Sequence, residues 1–133
     1  MEATIKEGKL IKLIFDYFHL QRGCHVRRMN TGAYKKGKNW IVYGETGQPD
    51  IEILVGPYNI VVGVETKSDE MKVHKKGKNI GELYHYRGTH EPEQIAYEKY
   101  MTRKVGYNYV LAYSLDPVIA AVDAVRKLKL KCD

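Results

Sequence analysis

Two short runs of β-branched residues, separated by four turn formers, constrain this chain more than anything else in it. Ile51 to Val55 and Ile60 to Val64 read as strands, and Gly56-Pro57-Tyr58-Asn59 carries the turn chemistry to join them as a hairpin. A four-residue loop that pairs Val55 with Ile60 fixes the register, and one step beyond Ile51 and Val64 sets Asp50 opposite Glu65. Because strand side chains alternate, Ile51, Ile53, Val55, Ile60, Val62 and Val64 form one apolar face. The other face presents Asp50, Glu52, Glu65 and Lys67.

Opposed side chains in an antiparallel pair stand about 4.5–5.5 Å apart at Cβ, and like charges placed there are destabilising. A hard divalent cation relieves that repulsion, since magnesium takes oxygen ligands and is usually held by one or two carboxylates with waters and substrate phosphates. Lys67 falls on the same face as the pair. The plainer alternative is a surface ion pair of Glu65 and Lys67 with Asp50 nearby, a common arrangement of little energetic consequence. Glu52 shares the face and reads either as a further ligand or as a charge partner for arginine.

Around the hairpin, Ala3 to Leu20 is expected to be an amphipathic helix, its stripe made by Leu10, Ile11, Leu13, Ile14, Tyr17 and Phe18 and its end marked by Gly23. Glu7 lies in line with Ile11, Ile14 and Phe18, where a carboxylate needs a reason; a first-turn glutamate favoured by the helix dipole is one. His25 to Asn30 reads as a strand, Thr31 to Asn39 as a polar loop that carries Tyr34, and Trp40 to Tyr43 as a short strand. Ser68 to His90 has little apolar periodicity. Glu91-Pro92 opens a helix to about Lys104, with Gln94, Tyr97 and Met101 on one stripe; Tyr107 to Ser114 is a strand, and Asp116-Pro117 starts a last helix carrying Val118, Ile119, Ala121, Val122, Val125 and Leu128. The expected fold class is α/β, a central mixed sheet flanked by helices in one domain spanning 1–133.

In motif and element order, over roughly Glu7 to Val125, the chain resembles the PD-(D/E)xK nucleases, and within them the VRR-NUC group and the archaeal-type Holliday junction resolvases. The matching text is Gly47-Gln48-Pro49-Asp50-Ile51, then Val64-Glu65-Thr66-Lys67, then Gln94, with Asn30 and Gly32 upstream. The resemblance implies a restriction-endonuclease-like core (αβββαβα) and a Mg2+ (or Mn2+) site held by Asp50, Glu65, the Thr66 carbonyl and Glu7. Catalytic duty would fall to Asp50, Glu65, Lys67, Gln94 and Glu7, with Gln94 bonded to the lysine or to substrate. It further implies a homodimer that cuts branched DNA, a four-way junction or a flap, and an origin in a phage or mobile element. The segment from Ser68 to His90 departs from the family pattern, in which the helix begins soon after the lysine.

A net charge of +6 and a pI near 9.2 suit a polyanionic partner. Lys35-Lys36-Gly37-Lys38-Asn39 recurs as Lys75-Lys76-Gly77-Lys78-Asn79, either as two solvated turns or as two phosphate-gripping loops. Arg27 and Arg28 add to the first cluster, and Tyr84, His85, Tyr86 and Arg87 offer stacking surfaces beside the second. Cys24 and Cys132 make neither a disulfide framework nor a metal knuckle and are expected to be free thiols in a reducing cytosol. No run reaches membrane-spanning length and no signal peptide is evident, so a cytoplasmic protein without a membrane partner is expected. Other readings of the function are a flap- or end-directed nicking or exonucleolytic repair nuclease, an enzyme directed at single strands or RNA, and a silent nucleic-acid-binding module.

Overall fold

The computed structural model describes residues 6–30 and 32–132. Three helices, α1 (Glu7–His19), α2 (Pro92–Val105) and α3 (Asp116–Cys132), accompany eight strands: β1 (Cys24–Arg28), β2 (Gly32–Lys36), β3 (Asn39–Tyr43), β4 (Ile51–Val55), β5 (Ile60–Thr66), β6 (Asp69–Val73), β7 (Leu83–Arg87) and β8 (Asn108–Ala112). The central sheet is mixed, in the order β1-β4-β5-β8: the first three strands are antiparallel neighbours and β8 runs parallel to β5. Two separate ribbons, β2-β3 and β6-β7, stand apart from its hydrogen-bond ladder. With the ribbons set aside, the elements run α, β, β, β, α, β, α.

The expected hairpin forms in the expected register, Val55 facing Ile60 and Ile51 facing Val64. Asn59 adopts φ 59°, a left-handed conformation that asparagine tolerates in turns. On the apolar face Ile51, Ile53, Val55, Val62 and Val64 are fully buried against Leu10, Ile14 and Phe18 of α1 and Val118, Val122 and Val125 of α3. This single cluster is the core, and burial of each such side chain is worth about 1.5–3 kcal/mol against the entropy of ordering the chain.

The opposite face is thinner. Helix α2 buries none of its residues, and the sheet beneath is closed instead by Tyr107, whose ring lies over Gly63: a Cβ built on that glycine would stand 2.2 Å from the phenolic oxygen. The same hydroxyl donates to Glu52 Oε2 at 2.6 Å, while Arg27 donates to Oε1 at 2.7 Å. Glu52 is therefore the arginine's charge partner, with both oxygens occupied. Burial and this hydrogen bond hold the Tyr107 phenol well above its ordinary pKa.

Several boundaries differ from expectation. The first helix begins at Glu7, with Lys6 as its N-cap, and Ala3 to Ile5 lie outside the described residues. Leu13 is 38% exposed and Leu128 61% exposed, so both leave the apolar stripes assigned to them. Of the expected loop from Thr31 to Asn39, Thr31 lies outside the described residues and the rest is mostly strand: β2 pairs with β3 through a two-residue connection, Gly37-Lys38, with glycine at φ 64° in the first position as a type II′ turn requires. Ser68 to His90 likewise folds as a hairpin, with Asp69 facing Arg87 and Val73 facing Leu83. Neither ribbon alternates cleanly between apolar and polar residues, because neither buries a face, and the periodicity that identifies half-buried strands is absent. The described thiol, Cys24, is free, while the Cys132 side chain lies outside the described residues.

A methyl at Gly63 must displace the Tyr107 ring and strip Glu52 of a donor. Gly63→Ala is expected to lower unfolding stability by about 1–3 kcal/mol, and Tyr107→Phe by about 1–2 kcal/mol. Urea denaturation of both variants checks this, and wild-type stability in Gly63→Ala contradicts the close packing.

Candidate active site

At the end of the sheet where β4 begins and β5 finishes, Asp50 and Glu7 meet at Thr66, and Glu65 pairs with Lys67 on the residues to either side of it. Asp50 sits immediately before β4, and its backbone carbonyl accepts from Met29 N–H at 2.8 Å. Its side chain turns toward the end of β5, where Oδ2 accepts from both the backbone N–H (2.9 Å) and the hydroxyl (2.8 Å) of the buried Thr66. The same hydroxyl lies 3.4 Å from Glu7 Oε1. The start of α1 is tied in by a second contact, since Glu7 N–H donates to Ser68 Oγ at 3.4 Å. The helix thus delivers Glu7 to the site through the apolar stripe Leu10, Ile14, Phe18 that fixes its rotation.

Glu65 is 2% exposed. Its Oε1 accepts from the Gln94 amide at 2.5 Å and stands 3.5 Å from the Lys67 ammonium. Among the described residues its Oε2 is buried with no hydrogen-bond partner, which is costly for a carboxylate oxygen. Gln94 reaches the site because its helix starts beside it: Pro92 fixes the first turn, and Gln94 Oε1 accepts from Glu91 N–H at 2.9 Å, leaving the amide nitrogen free to point at Glu65. The turn preceding Asp50 abuts this helix, for a Cβ on Gly47 (φ 83°) would meet the Glu93 carbonyl oxygen at 2.2 Å. Lys67 is set by its backbone N–H, which donates to Ala112 at 3.0 Å, and by Gly88, whose missing side chain leaves room for the lysine's Cβ.

The electrostatics follow from this crowding. Burial, then the nearby Asp50 charge, pushes the Glu65 carboxyl up to about 7, with Lys67 pulling in the opposite direction. Glu7 is also raised, by burial first and by Asp50 second, with Lys67, Thr66 and Arg28 opposing. Excess negative charge in a poorly hydrated place is the condition a cation relieves. Among the described residues no three His, Cys, Asp or Glu side chains stand together at metal-ligating spacing. The donors that do fit a hard cation are the unpartnered Glu65 Oε2 and the second oxygen of Asp50, a two-carboxylate set of the kind magnesium uses with water and phosphate.

Of the six residues that the resemblance implies, hydrogen bonds link Asp50, Thr66 and Glu7, and a second set of contacts links Glu65, Gln94 and Lys67. The structure differs from expectation in one detail: Asp50 is held by Thr66 rather than standing squarely opposite Glu65. The hydroxyl of Thr66, Ser68 and the Tyr107 cover over Glu52 carry no sequence signal, since nothing in their spacing separates them from ordinary strand residues. Of the expected nucleic-acid contacts, Arg28 flanks Glu7, whereas Arg27 is taken by Glu52. Lys35, Lys36 and Lys38 lie exposed at the tip of one ribbon, and Lys75, Lys76 and Lys78 in the end loop of the other. His74 stacks on Tyr84 with centroids 4.3 Å apart, Lys72 caps Tyr86, and His85 pairs with Asp69. Among the described residues no helix is long and apolar enough to cross a membrane. In comparisons with known proteins, no family model, curated protein or solved structure matches this chain.

Because the folded-state pKa of Glu65 lies above its ordinary 4.5, the native state holds more protons than the unfolded chain between about pH 4.5 and 7. The protonated acid's contribution is complete at low pH and lost as pH rises through that window. Metal-free protein should therefore lose on the order of 1–3 kcal/mol between pH 5 and 8. Glu65→Gln should flatten this slope and be the more stable protein at pH 8; denaturant titrations in a chelator at both pH values test it, and a flat wild-type profile contradicts it.

Proposed function

We propose that this protein is a metal-dependent, structure-selective DNA endonuclease that hydrolyses phosphodiester bonds, with a Holliday junction resolvase-like preference for branched DNA. The observation that carries the reading is the buried, unpartnered Oε2 of Glu65 beside Asp50, with Lys67 and Gln94 already engaged on the other oxygen. An ion pair on an open surface leaves no oxygen buried and unsatisfied. The order α, β, β, β, α, β, α of the central unit, with Asp50 opening its second strand and Glu65 and Lys67 ending its third, supports a restriction-endonuclease-like core.

Asp50, Glu65, the Thr66 carbonyl and Glu7 would hold the cation. Bound Mg2+ or Mn2+ supplies a Lewis acid at the phosphate and a lowered pKa for an attacking water. Thr66 holds Asp50 Oδ2 through two donors, which fixes that carboxylate. The Lys67 ammonium, only 12% exposed, stands where it can orient water and balance charge gathering on the phosphate. Gln94 locks the Glu65 rotamer and with it the direction of the unpartnered oxygen. Exposed lysines on both ribbons provide the sequence-independent attraction a phosphate backbone requires. A homodimer would present two such sites to the opposite strands of a four-way junction.

Asp50→Ala and Glu65→Ala should each remove magnesium-dependent cleavage of a four-way junction, by 10³-fold or more, while the circular dichroism of the folded protein persists. Paired symmetric nicks mark a resolvase, and nicks confined to flaps or ends mark the repair-nuclease alternative. Tight DNA binding without cleavage under Mg2+ or Mn2+ would leave a silent binding module. Independently of activity, Mg2+ at pH 8 should raise the melting temperature of wild-type protein and leave that of Glu65→Gln unchanged.

A further inference from the structure

The charge of this protein is not spread over its surface. From Tyr17 to Gly44 the sequence contains Arg22, Arg27, Arg28, Lys35, Lys36 and Lys38 and not one Asp or Glu; the rest of the chain balances 16 basic against 16 acidic residues. The entire formal charge of +6 therefore resides in the segment that forms the end of α1, the edge strand β1 and the ribbon β2-β3. Arg27 is neutralised by Glu52, so the remaining cations of the segment include Arg28, whose charge is felt at Glu7, and the three lysines at the ribbon tip.

The ribbon's one tryptophan is exposed. Directly opposed residues share a face, so the register Lys35↔Trp40 and Ala33↔Val42 gathers these four side chains on one side. Trp40 is 67% exposed and Val42 72% exposed. An apolar shelf with a lysine directly across from the indole has the composition of a base-stacking platform, an aromatic plane for the base and a cation for its phosphate. The segment that carries the ribbon is closed at the candidate site, because Met29 N–H bonds the carbonyl of Asp50.

We infer that the β2-β3 ribbon is a nucleic-acid arm on which Trp40 stacks an unpaired base while Lys35, Lys36 and Lys38 hold the adjoining phosphates. The substrate class this names is DNA with unpaired nucleotides next to the scissile phosphate, as at a branch point or flap. Bases inside a duplex are already stacked, and exposing one costs a few kcal/mol, which a single indole does not recover. Single-stranded character is thus selected by the arm. The inference deepens the nuclease reading and rests on its DNA substrate, but not on cleavage.

As Trp40 is the sole tryptophan, its fluorescence reports on the arm directly. The full-length protein, in chelator so that nothing is cut, is titrated with a dT oligomer and with a blunt duplex of equal length. The oligomer should quench and shift Trp40 emission, and the duplex should do so at least several-fold less. With a labelled oligomer, Trp40→Leu should bind about 10-fold more weakly at an unchanged salt slope. A triple Lys35, Lys36, Lys38→Gln variant should reduce that slope by about 2. Oligomer binding that leaves Trp40 emission unaltered, or Trp40→Leu affinity within twofold of wild type, overturns the arm while the nuclease reading stands. Emission that responds to protein concentration and not to DNA assigns the face to a second copy of the chain and also overturns it. Quenching without any Mg2+-dependent cleavage keeps the arm and removes the nuclease; no DNA binding at all removes both.

Discussion

The register of β4 against β5 is the constraint on which the rest of this structure depends. Placing Val55 opposite Ile60 buries Ile51, Ile53, Val62 and Val64 on one face and leaves Glu52, Glu65 and Lys67 on the other. A slip of one residue would exchange the two sets, driving carboxylates into the core and isoleucines toward α2. The apolar face therefore enforces the polar one, and α1 and α3 clamp the register from the core side. The acids converge because hydrophobic burial elsewhere leaves them no other place.

The polar side is correspondingly specialised, with each buried charge treated differently. Glu52 is satisfied on both oxygens by Arg27 and Tyr107 and behaves as a structural anchor. Glu65, on the adjacent strand β5 and on the same face, has one oxygen satisfied and one without a partner among the described residues. That asymmetry distinguishes two glutamates on the same face of neighbouring strands: Glu52 is fully satisfied and Glu65 is not. Gln94 contributes by doing two jobs at once, completing the start of α2 and fixing Glu65, so the helix cannot shift without disturbing the site.

The two ribbons show how pattern reading fails where burial is absent. The hairpin at 51–64 was legible because burial imposes strict alternation on it. Residues 32–43 were not: Tyr34, Trp40 and Val42 are exposed, so apolar residues there carry no information about a core. Glycine preceding a single residue between two candidate strands, Lys36-Gly37-Lys38-Asn39, was the available sign of a tight turn. Residues 69–87 gave less, because a nine-residue loop separates the strands and its pairing rests on backbone bonds such as His74 N–H to Glu82.

By itself the sequence determined the pairing of β4 with β5, its apolar face and the placing of Asp50, Glu65 and Lys67 on the other, since period-two alternation and turn chemistry are local properties of the chain. It also determined where the charge lies, because the acid-free stretch from Tyr17 to Gly44 needs no coordinates to be seen. Only the tertiary structure decided that Thr66 holds Asp50, that Tyr107 occupies the space Gly63 leaves, and that one oxygen of Glu65 is stranded without a donor. Those outcomes depend on which side chains from distant segments arrive first at a given polar atom, a competition in three dimensions that spacing along the chain does not encode.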